Sequence, residues 1–166
     1  MIKTKTYLVL FLMPLLVWSQ DNKLDGFDNL VDKTWIAKGE WSNGYEFKQE
    51  VSYNYDLNKM IVVAKSKGFT NEAQTEYGSR NHGIRKYDAE KDTIEFWEFD
   101  VFGGVTQGTV EFKDMGIFYH CKYGKAMVSD CWEYVDDRTY KFTLGSYKDG
   151  QWKAVYLQAE FKLKEE

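Results

Sequence analysis

The sequence predicts an all-β domain: a single antiparallel up-and-down β-barrel of nine or ten strands, with a short N-terminal helix or plug. Three observations carry that expectation. From Tyr77 to Phe112, β-rich runs alternate with two tight turns, Asp88-Ala89-Glu90-Lys91-Asp92 and the Gly103-Gly104 pair after Phe102, which is the pattern of a meander. Over residues 45–56 the odd positions are mostly aromatic or apolar and the even ones polar, so one face is buried and one wet. Similar runs recur every ~10–14 residues with no long helical periodicity between them, and 17% aromatic residues with 13 glycines favour strands over a bundle. Closing such a meander removes the exposed edges of an open sheet. A two-sheet sandwich is the alternative.

The first nineteen residues stand apart. Lys3 and Lys5 precede an apolar stretch from Tyr7 to Trp18, and Val17-Trp18-Ser19 offers a peptidase site before Gln20. Residues 1–19 are therefore predicted to be a cleaved export signal, and 20–166 the barrel domain, periplasmic or extracellular. No cysteine follows the apolar stretch, so no lipid anchor is expected, and no transmembrane segment remains after cleavage. Removing two lysines and no acids takes the formal charge from −4 to −6. An acidic surface without a basic stripe argues against nucleic acid and against docking on anionic lipid.

Beyond the signal, Leu24, Phe27, Leu30 and Val31 have the spacing of a short helix or turn, and Trp35 follows as the residue that closes the barrel base. In 60–70, Met60, Val62, Ala64 and Ser66 share a face. In 93–100 both faces carry bulk: Ile94 and Phe96 on one, Trp97 and Phe99 on the other. Strands 117–123, 127–135, 139–148 and 152–164 complete the set, with Asp149-Gly150 a strong hairpin signal. In the last strand, Val155, Leu157, Ala159, Phe161 and Leu163 form the apolar face.

Few residues point to chemistry. His82 and His120 are the only histidines and have no cysteine or acid at ligand spacing, so no metal site is expected. No nucleophile elbow or triad surrounds any serine, so no catalytic residues are assigned. Arg85 shares a strand face with Tyr77, Ser79 and Tyr87. Pointing inward, its planar fork suits a ligand carboxylate; pointing outward and paired with a surface acid is the commoner arrangement. A hairpin centred on Ala126 pairs Cys121 with Cys131, Lys122 with Asp130 and His120 with Trp132. That register allows a Cys121–Cys131 disulfide in an oxidising compartment and neutralises Asp130, the one acid on an apolar face.

Thr34-Trp35, the run Gly83-Ile84-Arg85-Lys86-Tyr87-Asp88, Phe99-Asp100 before the Gly-Gly turn, Gly108-Thr109-Val110 and Asp149-Gly150-Gln151-Trp152 together resemble a calycin, the superfamily of lipocalin-like and fatty-acid-binding-protein-like barrels. They are similar in particular to secreted bacterial domains of that superfamily. The resemblance spans the mature chain and implies the fold more than the function. More distantly the sequence resembles the nitrobindin-like haem-binding barrels. Their last strand carries a His-Leu-x-Ala pattern whose histidine ligates haem; here Tyr156-Leu157-Gln158-Ala159 puts tyrosine at that position. Tyrosinate ligates haem iron only with help from a base or cation, and Tyr156 shares its strand side with Gln158 and Glu160. No cofactor is expected, and haem with Tyr156 as its ligand is the disfavoured alternative.

The function expected is a binding module for one small apolar or amphipathic molecule, lined by Tyr45, Phe47, Val51, Tyr53, Val62, Arg85, Phe142, Leu157 and Phe161. The rival is a structural protein with a filled barrel, presenting the Trp97/Phe99 face to a protein partner or to a second copy of itself in a homodimer.

Overall fold

Alternating apolar and polar residues become ten strands: β1 (Lys33–Glu40), β2 (Glu46–Asp56), β3 (Ile61–Phe69), β4 (Tyr77–Asp88), β5 (Thr93–Asp100), β6 (Val105–Lys113), β7 (Gly116–Tyr123), β8 (Ala126–Asp136), β9 (Thr139–Lys148) and β10 (Gln151–Leu163). This is a computed structural model and describes residues 22–165, so the predicted export signal lies outside the described residues. Each strand pairs antiparallel with its neighbours in sequence, and β1 closes on β10 through Trp35 opposite Leu163 and Ile36 opposite Lys162. The result is a closed ten-strand up-and-down barrel.

The two ends differ. At one end the segment before β1 folds into the barrel and plugs it. Leu24, Phe27 and Leu30 are fully buried there, Trp35 Nε1 donates to the Leu30 carbonyl at 3.1 Å, and Tyr55 Oη donates to the Leu24 carbonyl at 2.9 Å. Trp35 closes the base as expected, edge-on to Tyr140 at 5.0 Å. The plug contains a single 3-10 turn, Asp25–Phe27, rather than a helix. Its Asp-Gly-Phe-Asp-Asn sequence is rich in turn formers, and tertiary burial of three apolar side chains holds it in place.

The inward faces are graded in size. Near the plug they carry Trp35, Phe96, Trp132, Tyr140 and Phe161, with Trp132 and Phe161 rings 4.2 Å apart. Toward the other end they include Ala64, Ser66 and Val128. The plugged half is consequently packed solid while the other half stays open.

Two departures from the predicted registers reposition site residues. A two-residue turn, Gly124-Lys125, joins β7 to β8, opened by the positive φ of Gly124 (60°). Cys121 then lies opposite Val128, Cys131 opposite Phe118, Lys122 opposite Met127 and His120 opposite Ser129. The predicted turn around Ala126 is out by three positions. An odd shift turns one strand's faces over relative to the other, so Cys121 points into the barrel and Cys131 out of it. Both thiols are free, and the expected Cys121–Cys131 bridge and Lys122–Asp130 pair are not formed. In β10, register shifts fall at Trp152/Ala154 and Val155/Leu157. Gly145 of β9 accommodates the first bulge, because a Cβ there would collide with the Ala154 carbonyl. Val155 is left exposed, off the apolar face assigned to it.

Candidate functional site

The open half of the barrel encloses a cavity of about 920 Å³ that reaches the loops between β1 and β2, β3 and β4, and β5 and β6. Trp132, Phe142 and Leu157 form its floor; Trp41, Phe69, Phe102, Tyr123 and Tyr156 ring the mouth. Of the residues expected to line it, Phe47, Val51, Tyr53, Arg85, Phe142 and Leu157 do so. Tyr45 does not: it precedes β2 and is 56% exposed. Val62 and Phe161 are fully buried in the packed half instead.

Arg85 points inward, against the commoner outward arrangement. Register places it between Val62 on β3 and Phe96 on β5, both buried, so the strand alternation leaves it no outward option. It is only 4% exposed. Its Nη2 donates to Glu98 Oε1, its Nε donates to Tyr119 Oη at 3.1 Å, and its Cζ lies 5.1 and 5.5 Å from the Tyr119 and Tyr53 rings. Gly83, opposite Glu98, makes the pair possible. A Cβ there would clash with both Arg85 Nη1 and Glu98 Oε1. Burial works against the Arg85 charge, but Tyr119, Glu98 and Tyr53 more than offset it and raise its pKa further.

Asp130, directly across from Tyr119, enters the same cavity rather than meeting Lys122. Desolvation pushes its carboxyl up to about 7, with Glu98 adding to the rise and Arg85 opposing it. Burial likewise pushes the Tyr119 phenol up to about 12 and the Tyr53 phenol well above its ordinary value, so both are neutral hydrogen-bonding groups. Higher in the cavity, Ser66 and Asn81 face each other across β3 and β4. Ser66 Oγ, Asn81 Oδ1 and Arg85 Nη1 are all buried, all line the cavity and all lack a hydrogen-bond partner among the described residues.

Sequence reasoning missed Glu98, Ser66 and Asn81 as site residues. The signal for Glu98 was its alternation with Ile94 and Phe96, which makes it an acid on the buried face. Tyr156 was expected on the surface; the extra residue between Val155 and Leu157 brings it to the cavity mouth. The residues around it do not make a haem site. The buried cation of the cavity, Arg85, is committed to Glu98 and Tyr119, and both histidines sit on outward-facing positions of β4 and β7.

Outside the barrel, His120 Nδ1 is 2.8 Å from Ser129 Oγ and its Nε2 is 3.7 Å from Glu111 Oε2. This row resembles a nucleophile, base and acid, but Ser129 is 3% exposed and mid-strand, paired on both sides by His120 and Gly145. A substrate carbonyl has no approach, and the neighbouring strands leave no free amides for an oxyanion. Trp97 and Phe99 do face outward, with Phe99 46% exposed. Among the described residues no three His, Cys, Asp or Glu side chains converge as a metal site, and no helix is long and apolar enough to cross a membrane.

No protein-family model and no curated protein matches the chain. Among solved structures it is similar to the S-type phycobiliprotein lyase CPES from Guillardia theta, at 12% identity and a TM-score of 0.44, covering 87% of this chain and 96% of that one. At that distance the likeness carries no functional argument.

Proposed function

We propose that this protein is an exported binding module that holds one small apolar or amphipathic molecule inside the barrel. The observation behind the reading is a cavity of about 920 Å³ whose lining residues Ser66, Asn81 and Arg85 each carry a buried polar atom without a partner among the described residues. Buried polar groups are nearly always satisfied, and leaving one unpaired costs about 1–3 kcal/mol. A ligand entering through the mouth satisfies them while its apolar body contacts Phe47, Val51, Trp132, Phe142 and Leu157. The volume lies within the ~300–1,000 Å³ of ordinary small-molecule sites.

Native mass spectrometry of protein purified from its own source tests this. A single co-purified species that leaves on gentle activation is expected. Ligand-free protein in every preparation, together with no binding from a library of apolar and amphipathic molecules, overturns the proposal.

A further inference from the structure

We infer that the cavity selects an elongated, uncharged molecule, held by a carbonyl or hydroxyl oxygen at Arg85 and by a hydrogen-bond donor at Asn81, and that it rejects a fatty-acid carboxylate. The inference rests on the ligand-binding reading above and concerns which head group that site accepts.

Two observations lead to it. The first is the state of the guanidinium. Recognition of a carboxylate by arginine depends on two parallel N–H groups presented along one edge. Here Nη2 is engaged by Glu98 and Nε by Tyr119, while the rings of Tyr53 and Tyr119 lie 5.5 and 5.1 Å from Cζ. Only Nη1 is unpartnered. It can donate to one oxygen, and a carboxylate seeking a second parallel N–H would have to share Nη2 with Glu98.

The second is charge. The cavity lining contains three cations, Lys48, Arg80 and Arg85, and four acids, Glu46, Glu98, Asp100 and Asp130. At the deep end Arg85 is matched by Glu98, with Asp130 beside them. A carboxylate entering there would lose its hydration and meet acids without a surplus cation, which makes its burial unfavourable. An amide or hydroxyl oxygen accepts the same Nη1 hydrogen without that cost.

The shape of the molecule follows from β4. Asn81 and Arg85 are four residues apart on one strand, which separates them by about 13 Å. Asn81 Oδ1 needs a donor, and Ser66 Oγ, directly across, can donate or accept. A ligand with polar groups at both ends of an apolar chain satisfies the whole set.

The experiment titrates the intact barrel with dodecanamide, dodecanol, dodecanoate and the dodecane diol hydroxylated at both ends, at neutral pH, by calorimetry and by the fluorescence of Trp41 and Trp132. Dodecanamide and dodecanol are expected to bind one to one. Dodecanoate is expected to bind more weakly by about tenfold or more. The diol should exceed dodecanol by roughly fivefold, and Asn81→Val should erase that difference. In Glu98→Gln, which keeps the side-chain shape and releases Arg85 from its counter-charge, dodecanoate should gain about tenfold relative to dodecanamide; a thermal melt confirms that this variant folds. Dodecanoate binding the native protein as tightly as dodecanamide, or no relative gain in Glu98→Gln, overturns the head-group inference and leaves the ligand-binding reading standing. Equal affinities for diol and dodecanol overturn the two-ended ligand. Binding of none of the four, with no co-purified species, overturns both readings.

Discussion

A side chain at position 83 would occupy the space that Arg85 Nη1 and Glu98 Oε1 fill, so one missing carbon keeps the buried pair in place. The pair should be more costly to break than to replace. Arg85→Met strands Glu98 inside the barrel and is expected to lower the free energy of unfolding by about 3 kcal/mol, whereas combining Arg85→Met with Glu98→Gln should recover most of that loss. Urea denaturation of the two single variants and the double variant measures the coupling, and additive losses would contradict it. Asp130 gives a second test, through pH. Its folded pKa of about 7 lies above the ordinary aspartate value of about 3.9. It therefore stabilises the fold fully below about pH 4, and that contribution is lost as pH rises through about 7. Arg85, Glu98, Tyr53, Tyr119 and Cys121 surround it and set the size of the effect. Asp130→Asn should show no such loss. Relative to the native protein, it should gain about 2–4 kcal/mol between pH 4 and pH 8, the upper figure being three pKa units and the lower allowing for cavity solvent. Unfolding free energies at those two pH values give the answer.

Among the elements, the β7–β8 hairpin shows what the sequence revealed and what it withheld. The two strands were legible from alternation, but register depends on the turn, and Gly124-Lys125 is a two-residue loop whose Gly supplies the required positive φ. Centring the turn on Ala126 exchanged the faces and paired the cysteines. In the observed register the thiols lie on opposite sides of the sheet, so unreduced protein should titrate two free thiols on unfolding. In the folded state Cys121 should react first, because it lines the cavity while Cys131 is 7% exposed under the outer aromatic residues. Burial raises both thiol pKa values, Cys131 to about 12, so even Cys121 should react slowly. One disulfide in unreduced protein would contradict this register. Strand β10 gave the same lesson: a bulge adds a residue without any change in apolar composition, so Val155 and Tyr156 exchanged roles where strict alternation was assumed. Turn and bulge geometry is set by backbone torsion and by close approaches such as that of Gly145, which an alternation pattern does not encode. Strands β4 and β5 are joined by residues 89–92, one residue shorter than the predicted turn because Asp88 pairs with Thr93, and the residue types of that turn leave little choice of register.

At the scale of the whole molecule, the closed barrel was legible because strands at regular intervals with short turns must bury both edges somewhere. The open interior was not, since cavity volume depends on which small residues share a level once every register is fixed. Ala64, Ser66 and Val128 are ordinary strand residues when taken one at a time. Export remains a proposal, and N-terminal sequencing of secreted protein should begin at or within a residue or two of Gln20; Met1 on that material would refute it. The last expectation is that this barrel does not take haem as a resident group. Tyr156 reaches the cavity mouth, so position alone would permit ligation. Ionising a phenol near neutral pH requires a nearby base or cation. Arg85 is deep in the barrel with its charge matched by Glu98. Tyr156 shares the mouth with the aromatic side chains of Trp41, Phe69, Phe102 and Tyr123. Haemin titrated into purified protein should give a broad, non-saturating absorbance change that Tyr156→Phe leaves unaltered. A sharp one-to-one Soret shift abolished by that substitution would establish tyrosinate ligation and make haem the ligand of the cavity.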